Sequence, residues 1–149
     1  MSRLDVRKTY KIYIGGAFPR SESGRVLPAT DADGEVLARV SHGSRKDLRE
    51  AVVAARKAQS GWAGRTAYNR GQVLYRIAEM VEDRRGTFVD QLGADGRDES
   101  AGEAEVDAAI DRIVWYAGWA DKFAQVLGNL NPVAGPYFNI SAPEASGVI

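Results

Sequence analysis

The stretch from Ser44 to Tyr75 reads SRKDLREAVVAARKAQSGWAGRTAYNRGQVLY and carries the strongest structural signal in the chain. Its apolar side chains recur at steps of three and four residues, which predicts an amphipathic helix behind a Ser44-x-x-Asp47 capping box. Gly61 is predicted to end this helix, and Thr66 is the predicted N-cap of the next. The sequence therefore predicts two successive helices, each with one apolar face.

The segment before Ser44 has the shorter period of β-strands. Apolar residues alternate over residues 10–14, and the Gly15-Gly16 pair that follows predicts a tight hairpin turn. Short extended runs follow at residues 26–27 and 36–40, with a turn at Asp33-Gly34 between them. Together these signals predict a small β-meander, which is too thin to be stable alone.

Two further helices are predicted after residue 86. Thr87-x-x-Asp90 begins a short third helix, residues 93–102 form a loop, and Ser100-x-x-Glu103 caps a long fourth helix. The fourth helix carries an apolar stripe at steps of four and three: Val106, Ile110, Ile113, Ala117, Ala120, Ala124 and Leu127. A stripe of this kind packs on another helix or on a sheet. The large helical aromatics Trp62, Trp115, Tyr116 and Trp119 are expected in the core.

The C-terminal segment returns to strand alternation over residues 137–142, with Phe138 and Ile140 on one face. The chain stops on Gly147-Val148-Ile149, within an apparent strand. Backbone groups of a half-formed strand would have no partners, so we expect a truncated strand at this end.

Composition excludes several classes of function. The chain has 149 residues, with 20 Lys+Arg against 20 Asp+Glu, so no net charge attracts nucleic acid or anionic lipid. No apolar run of membrane or signal-peptide type follows the N-terminus, so a cytoplasmic location is expected and no membrane partner. With no cysteine and one histidine, His42, the chain offers no disulfide, no thiolate zinc site and no thiol nucleophile. The carboxylate row Glu103, Asp107 and Asp111 is interpreted as a solvated helix face.

Three stretches carry a resemblance to a known family. They are YIGGAFPRSESG at residues 13–24, the helical pattern of residues 47–75, and YAGWADK at residues 116–122. Between the first two lie Pro28-Ala29-Thr30 and Gly34-Glu35-Val36, similar to the family string N-P-A-T-G-E-V with an insertion. In this order the chain resembles the N-terminal part of the aldehyde dehydrogenase superfamily.

The resemblance implies an α/β parent protein with a Rossmann-type nucleotide-binding domain. This chain would supply a short β-meander, three to four helices and the start of an oligomerisation strand. Residues 1–136 would be the helical part of the nucleotide-binding domain, with residues 1–9 as a flexible tail. Residues 137–149 would be the first strand of the oligomerisation arm.

In that family a cysteine thiolate attacks the aldehyde and hydride passes to NAD or NADP, after which a glutamate activates water. None of these catalytic or cofactor-binding positions can be assigned in this chain, nor a metal ligand. The resemblance therefore implies an inactive scaffold that binds no cofactor by itself, within a parent enzyme that uses NAD or NADP.

Two surfaces are implied by the same resemblance. Ala104 and Ala108 would border the substrate entrance, where small side chains leave a wide mouth for the aldehyde. A homo-oligomer, dimer or tetramer, would form through the C-terminal strand, whose residues are Tyr137, Phe138, Asn139, Ile140 and Ser141.

A different class of function remains open at the level of the sequence. The chain could be a short, non-catalytic interaction module that adds its C-terminal strand to the sheet edge of a partner dehydrogenase. The coding sequence after Ile149 distinguishes the two hypotheses. Continuation into glycine-rich strands and a cysteine supports the enzyme fragment, and an in-frame stop supports the module.

Overall fold

The computed structural model describes residues 7–94 and 96–148. The elements in chain order are β1 Thr9–Tyr10, β2 Val26–Thr30, β3 Val36–Ser41, α1 Arg45–Ala63, α2 Ala67–Asp83, α3 Arg85–Gly93, α4 Glu99–Trp119, α5 Phe123–Leu127, β4 Asn129–Asn131 and β5 Asn139–Ser141. Three parts of the sequence prediction lie outside the described residues: residues 1–6 of the tail, Asp95 of the loop, and Ile149 of the last strand.

The first sheet contains the predicted extended runs but differs from a meander in its strand order. Its order is β1-β3-β2, with β2 antiparallel and β1 parallel to the central strand β3. Thr9 pairs with Arg39, whose backbone N–H donates to the Lys8 carbonyl at 2.9 Å. Thr9 therefore lies in the sheet and not in the predicted tail, and the Lys8 carbonyl before it is already hydrogen-bonded to β3. Pro28 lies within β2, which is an edge strand of this sheet. Proline has no backbone N–H, and on the outer side of an edge strand no interstrand hydrogen bond is lost.

The predicted Gly15-Gly16 turn is present and joins a minimal hairpin. Ile14 and Ala17 exchange both backbone hydrogen bonds, at 3.0 and 3.1 Å, around the two glycines. Both glycines have positive φ, at 61° and 84°, which a two-residue hairpin turn of this kind requires. The strand predicted for residues 10–14 is shorter than expected, because only Thr9–Tyr10 pairs with β3.

The first two helices begin where the sequence predicts. The Asp47 N–H donates to Ser44 Oγ at 3.2 Å and the Ser44 N–H donates to Asp47 Oδ2 at 2.7 Å, so both halves of the capping box are formed. Thr66 Oγ1 accepts from the Asn69 N–H at 3.2 Å and caps α2. The prediction that Gly61 ends α1 is wrong, because the helix continues to Ala63 and is capped by Gly64.

The N-caps of the other two helices differ from the prediction by three residues, Arg84 for Thr87, and by two, Asp98 for Ser100. Helix α3 begins at Arg85, and α4 begins at Glu99. The described residues form five helices where three to four were expected, because the long fourth helix is interrupted after Trp119.

The hydrogen bonds change at the end of α4, where the Ala120 N–H already donates to the Ala117 carbonyl. A continuing α-helix would pair the Lys122 N–H with the Gly118 carbonyl. Instead that N–H donates to the Trp119 carbonyl at 3.1 Å, while Lys122 Nζ donates to the Gly118 carbonyl at 2.7 Å. The side chain replaces the backbone donor, and the helix closes without proline or an αL glycine.

Helices α2, α3 and α4 pack together through two glycines. A Cβ on Gly71 would lie 3.0 Å from the Ala117 carbonyl oxygen, so the absence of a side chain allows α2 and α4 to cross closely. Gly102 of α4 lies against Val89 and Leu92 of α3 in the same way. Ala78 and Val106 are the buried apolar side chains at this contact, at 3% and 4% exposure.

The core is small for a chain of this mass. The accessible surface is 12194 Å², whereas a compact monomer of 16.2 kDa exposes roughly 7,500 Å². The aromatics Trp62, Trp115 and Tyr116, which were expected in the core, are about half exposed. The prediction of a core location for these three side chains is wrong within this chain.

A two-stranded ribbon ends the described structure. β4 pairs antiparallel with β5 in the register Asn129↔Ser141, Leu130↔Ile140 and Asn131↔Asn139. The sequence analysis predicted β5 and missed β4. Tyr137 and Phe138 precede the paired residues, so the strand predicted over residues 137–142 is shorter than expected.

Candidate functional surfaces

A buried polar cluster joins the first sheet to the start of α1. Ser21 and Asp47 are both buried, and Ser21 Oγ donates to Asp47 Oδ2 at 2.6 Å. The same hydroxyl lies 3.1 Å from the His42 carbonyl, and the Glu22 N–H approaches Asp47 Oδ1 at 3.4 Å. The carboxylate of the capping box therefore also fixes the loop before β2. The sequence analysis identified Asp47 as a cap but missed Ser21, which only long-range packing brings to it.

The pKa of Asp47 is lowered to about 2 by this arrangement. The largest cause is the hydrogen bond from Ser21, followed by the bond from the Ser44 backbone, and partial burial opposes both. Asp47 also lies at the positive end of the helix dipole of α1. The cluster is satisfied internally, so we assign it a structural role.

Among the described residues, a strand leads into a helix at the junction between β3 and α1. In a Rossmann-type fold, a nucleotide phosphate binds at a strand-to-helix junction. Here the first turn of α1 is occupied by Ser44 and by the charged Asp47. A carboxylate at this position repels phosphate. The residues of this junction therefore do not fit a nicotinamide dinucleotide.

Ala104 and Ala108, the predicted substrate-entrance residues, lie on the outer face of α4. Both are exposed, and at 3.6 residues per turn they lie roughly 160° and 200° around the helix from buried Val106. The structure thus brings the two alanines to one accessible face and leaves their relation to a substrate untested.

The β4–β5 ribbon, the predicted oligomerisation surface, presents large apolar side chains. Phe138 is 89% exposed, Tyr137 73%, Ile140 69% and Leu130 68%. Within the ribbon, Asn131 Nδ2 donates to Asn139 Oδ1 at 3.0 Å and to Ser141 Oγ at 2.9 Å. The polar residues therefore hold the ribbon together, while the apolar residues have no cover in the described chain.

No group of three or more histidine, aspartate or glutamate side chains is placed to hold a metal ion in the part of the chain that the structure describes. His42 is exposed, and the bonds it makes are from its backbone. Among the described residues, no helix combines the length and apolar character that crossing a bilayer requires.

Comparison with known sequences gives the family. The profile of the Aldehyde dehydrogenase family matches residues 19–149. Retinal dehydrogenase 2 of Mus musculus is 35% identical over 151 residues, which cover 97% of this chain and 28% of that protein. The mitochondrial benzaldehyde dehydrogenase of Antirrhinum majus is 33% identical over 143 residues, covering 93% of this chain and 26% of the relative.

Comparison with solved structures agrees. An aldehyde dehydrogenase mutant from Bacillus cereus superposes with a TM-score of 0.81 at 26% identity, covering 89% of this chain and 27% of that one. A betaine aldehyde dehydrogenase mutant from Staphylococcus aureus, solved with NAD⁺, gives 0.79 at 27% identity, covering 85% and 26%.

Fold and sequence together place the chain within the α/β fold of the aldehyde dehydrogenases that it matches. The chain belongs to the aldehyde dehydrogenase family, and it corresponds to the N-terminal portion of the fold. It spans about a quarter of the length of the relatives that it matches.

Proposed function

We propose that this chain is the non-catalytic, N-terminal scaffold of an NAD(P)-dependent aldehyde dehydrogenase that oxidises an aldehyde to a carboxylic acid. The observation that supports this most strongly is the match over residues 19–149 to a family whose members are several times longer. This region forms helices and a sheet but has no cysteine nucleophile. In such an enzyme it would hold the catalytic parts in place without taking part in the chemistry.

The chemistry of the reaction comes from outside these 149 residues. Aldehyde oxidation of this type needs a thiolate that forms a thiohemiacetal, and the chain has no cysteine. A nicotinamide cofactor accepts the hydride when it is bound to the whole enzyme. Asp47 places a carboxylate at the first turn of α1, which disfavours cofactor phosphates at that junction.

The exposed apolar area supports a scaffold role. Folding buries only about half of the surface of an unfolded chain of this mass, whereas a domain of about 150 residues usually buries some 68–70%. Trp115 and Tyr116 on α4 are among the exposed side chains. In the proposed enzyme these faces pack against the remaining nucleotide-binding sheet.

The β4–β5 ribbon is proposed to join subunits. The outer edge of a two-stranded ribbon offers unpaired N–H and C=O groups, and Phe138 and Ile140 add apolar area beside that edge. Pairing with a second subunit would satisfy the backbone groups and bury the aromatic side chain. The proposed partner is a second copy of the same enzyme.

Ala104 and Ala108 are proposed to form one wall of the aldehyde entrance. Their exposure on one face of α4 supports this, because a wall residue must be reachable from solvent. Their small size would admit bulky aldehydes.

The alternative function is an interaction module whose ribbon adds to the sheet of a separate dehydrogenase. The 89% exposure of Phe138 supports this proposal as well as the first. The coding sequence after Ile149 separates the two, because only the enzyme continues into glycine-rich strands and a cysteine.

An activity assay tests the scaffold proposal. The purified chain, given NAD or NADP and a panel of aldehydes, should produce no NADH or NADPH absorbance because it lacks the thiolate. Heat-inactivated chain is the control for background reduction. Turnover that stays with the chain after mass spectrometry excludes contaminating dehydrogenases would contradict the proposal.

A further inference from the structure

A cleft of about 440 Å³ lies between the N-terminal segment, the loop before β2 and the edge of the first sheet. Three cationic residues line it: Lys11 from the N-terminal segment, and Arg20 and Arg25 from the loop before β2. Among the residues that the structure describes, none pairs with their charged groups through a hydrogen bond or an ion pair. In a chain of zero net charge, this is a local concentration of unpaired positive charge.

The cleft also has fixed polar groups and one acid. Thr9 and Ser23 contribute hydroxyls to its wall, and Gly24, at φ 64°, turns the backbone between Ser23 and Arg25. Glu22 lines the same cleft, but its carboxylate lies 3.4 Å from Lys46 Nζ, which offsets its charge. The cleft therefore retains an excess of positive charge.

One of the residues that line the cleft is buried and anchored. Ser21 is buried and is bound to Asp47 at 2.6 Å, so the loop that carries Arg20 and Arg25 is anchored to α1 at its middle. A positively charged cleft on an anchored loop loses less conformational entropy on binding than a mobile one does.

We propose that this cleft is a binding site for a small anion that carries phosphate groups. Arginine presents a planar array of donors that fits phosphate oxygens in pairs, and two arginines with a lysine match a multivalent phosphate better than a single carboxylate. The cleft volume admits a ligand of the size of pyrophosphate or a sugar phosphate. The residues that line the cleft all lie outside α1, although Ser21 is bound to Asp47 in its first turn. The proposal does not depend on the proposed enzymatic function.

Isothermal titration calorimetry with pyrophosphate, at constant ionic strength, tests the site in the whole 149-residue chain. We expect saturable binding to one site, weakened about tenfold by Arg20→Gln or Arg25→Gln, because each removes a charge-assisted contact. Arg49→Gln on α1 is the matched control, since Arg49 is exposed and outside the cleft, and it should leave the affinity unchanged.

Glu22→Gln gives the complementary test, because it removes the one negative charge of the cleft without altering the backbone. We expect it to tighten pyrophosphate binding about threefold, a gain that damaged folding cannot produce. Equal affinities for wild type, Arg20→Gln and Arg49→Gln, or heat that never saturates, would mean an adventitious ion only and would overturn the proposal. Tighter binding of citrate than of pyrophosphate would overturn the assignment to phosphate.

Discussion

At the scale of single residues, Asp47 has two tasks: it caps α1 and it anchors the loop that contains Ser21. Because its folded pKa, about 2, is below the ordinary value of 3.8, the ionised carboxylate stabilises the folded state. This contribution is complete above pH of about 4 and is lost as the pH falls towards 2.

Replacing Ser21 tests this linkage. In Ser21→Ala the largest cause of the lowered pKa is removed, so the Asp47 pKa should rise towards 3.8 and acid unfolding should begin at higher pH. The carboxyl ¹³C shift of Asp47, followed by NMR during an acid titration, measures this. Ser23→Ala is the control, because Ser23 Oγ bonds to Ser21 Oγ and not to Asp47. Identical Asp47 titrations in both variants would contradict the assigned cause.

Gly71 and Gly61 differ in what an added methyl group would meet. At Gly71 it would lie 3.0 Å from the Ala117 carbonyl oxygen, so Gly71→Ala should force α2 and α4 apart and destabilise by about 1–3 kcal/mol. At Gly61 nothing lies within 4 Å, so Gly61→Ala should stabilise α1 by up to about 1 kcal/mol. Urea unfolding of both variants measures the difference. Equal effects of the two substitutions would contradict the close crossing of these helices.

At the scale of elements, α4 has one face in the core and one face exposed. If its outer face borders the aldehyde entrance, Ala108→Trp in the whole enzyme should lower kcat/KM for bulky aldehydes about tenfold or more relative to small ones. A bulky side chain in the mouth blocks large substrates first. Gln91→Trp, on the exposed surface of α3, is the control. Unchanged relative kcat/KM in Ala108→Trp would remove Ala108 from the entrance.

The elements that were predicted correctly depend on local signals. Ser44, Asp47 and Thr66 cap their helices through residues three positions away, so the caps could be identified from spacing alone. Gly15-Gly16 likewise defines its own turn. These interactions need no information about the rest of the fold.

The elements that were missed depend on long-range contacts. β4 has only three residues, two of them asparagine, and it is a strand because β5 pairs with it. The parallel pairing of β1 with β3 requires a crossover that local alternation does not show. At the end of α4 the Lys122 side chain bonds the Gly118 carbonyl, which spacing alone does not predict. Lys11 joins Arg20 and Arg25 in one cleft only because the loop before β2 returns to β1.

At the scale of the whole molecule, the described residues form helices and strands over much of their length, but few of their apolar side chains are buried. Only Ala78 and Val106 are buried apolar side chains among the described residues, although α1, α4 and the ribbon all carry apolar faces. An exposed apolar face of this extent is typical of an interaction surface. Under the proposed function, these faces are interfaces within a dehydrogenase.

Sedimentation velocity of the chain at several concentrations tests this account most directly. We expect concentration-dependent self-association, reduced by Phe138→Ser in the ribbon and unchanged by Tyr68→Ser, which alters a similarly exposed aromatic on α2. A monodisperse monomer at every concentration, with sharp near-UV circular dichroism bands and a cooperative melt, would contradict it. That result would mean that the apolar faces are buried internally and that the chain is a self-sufficient domain.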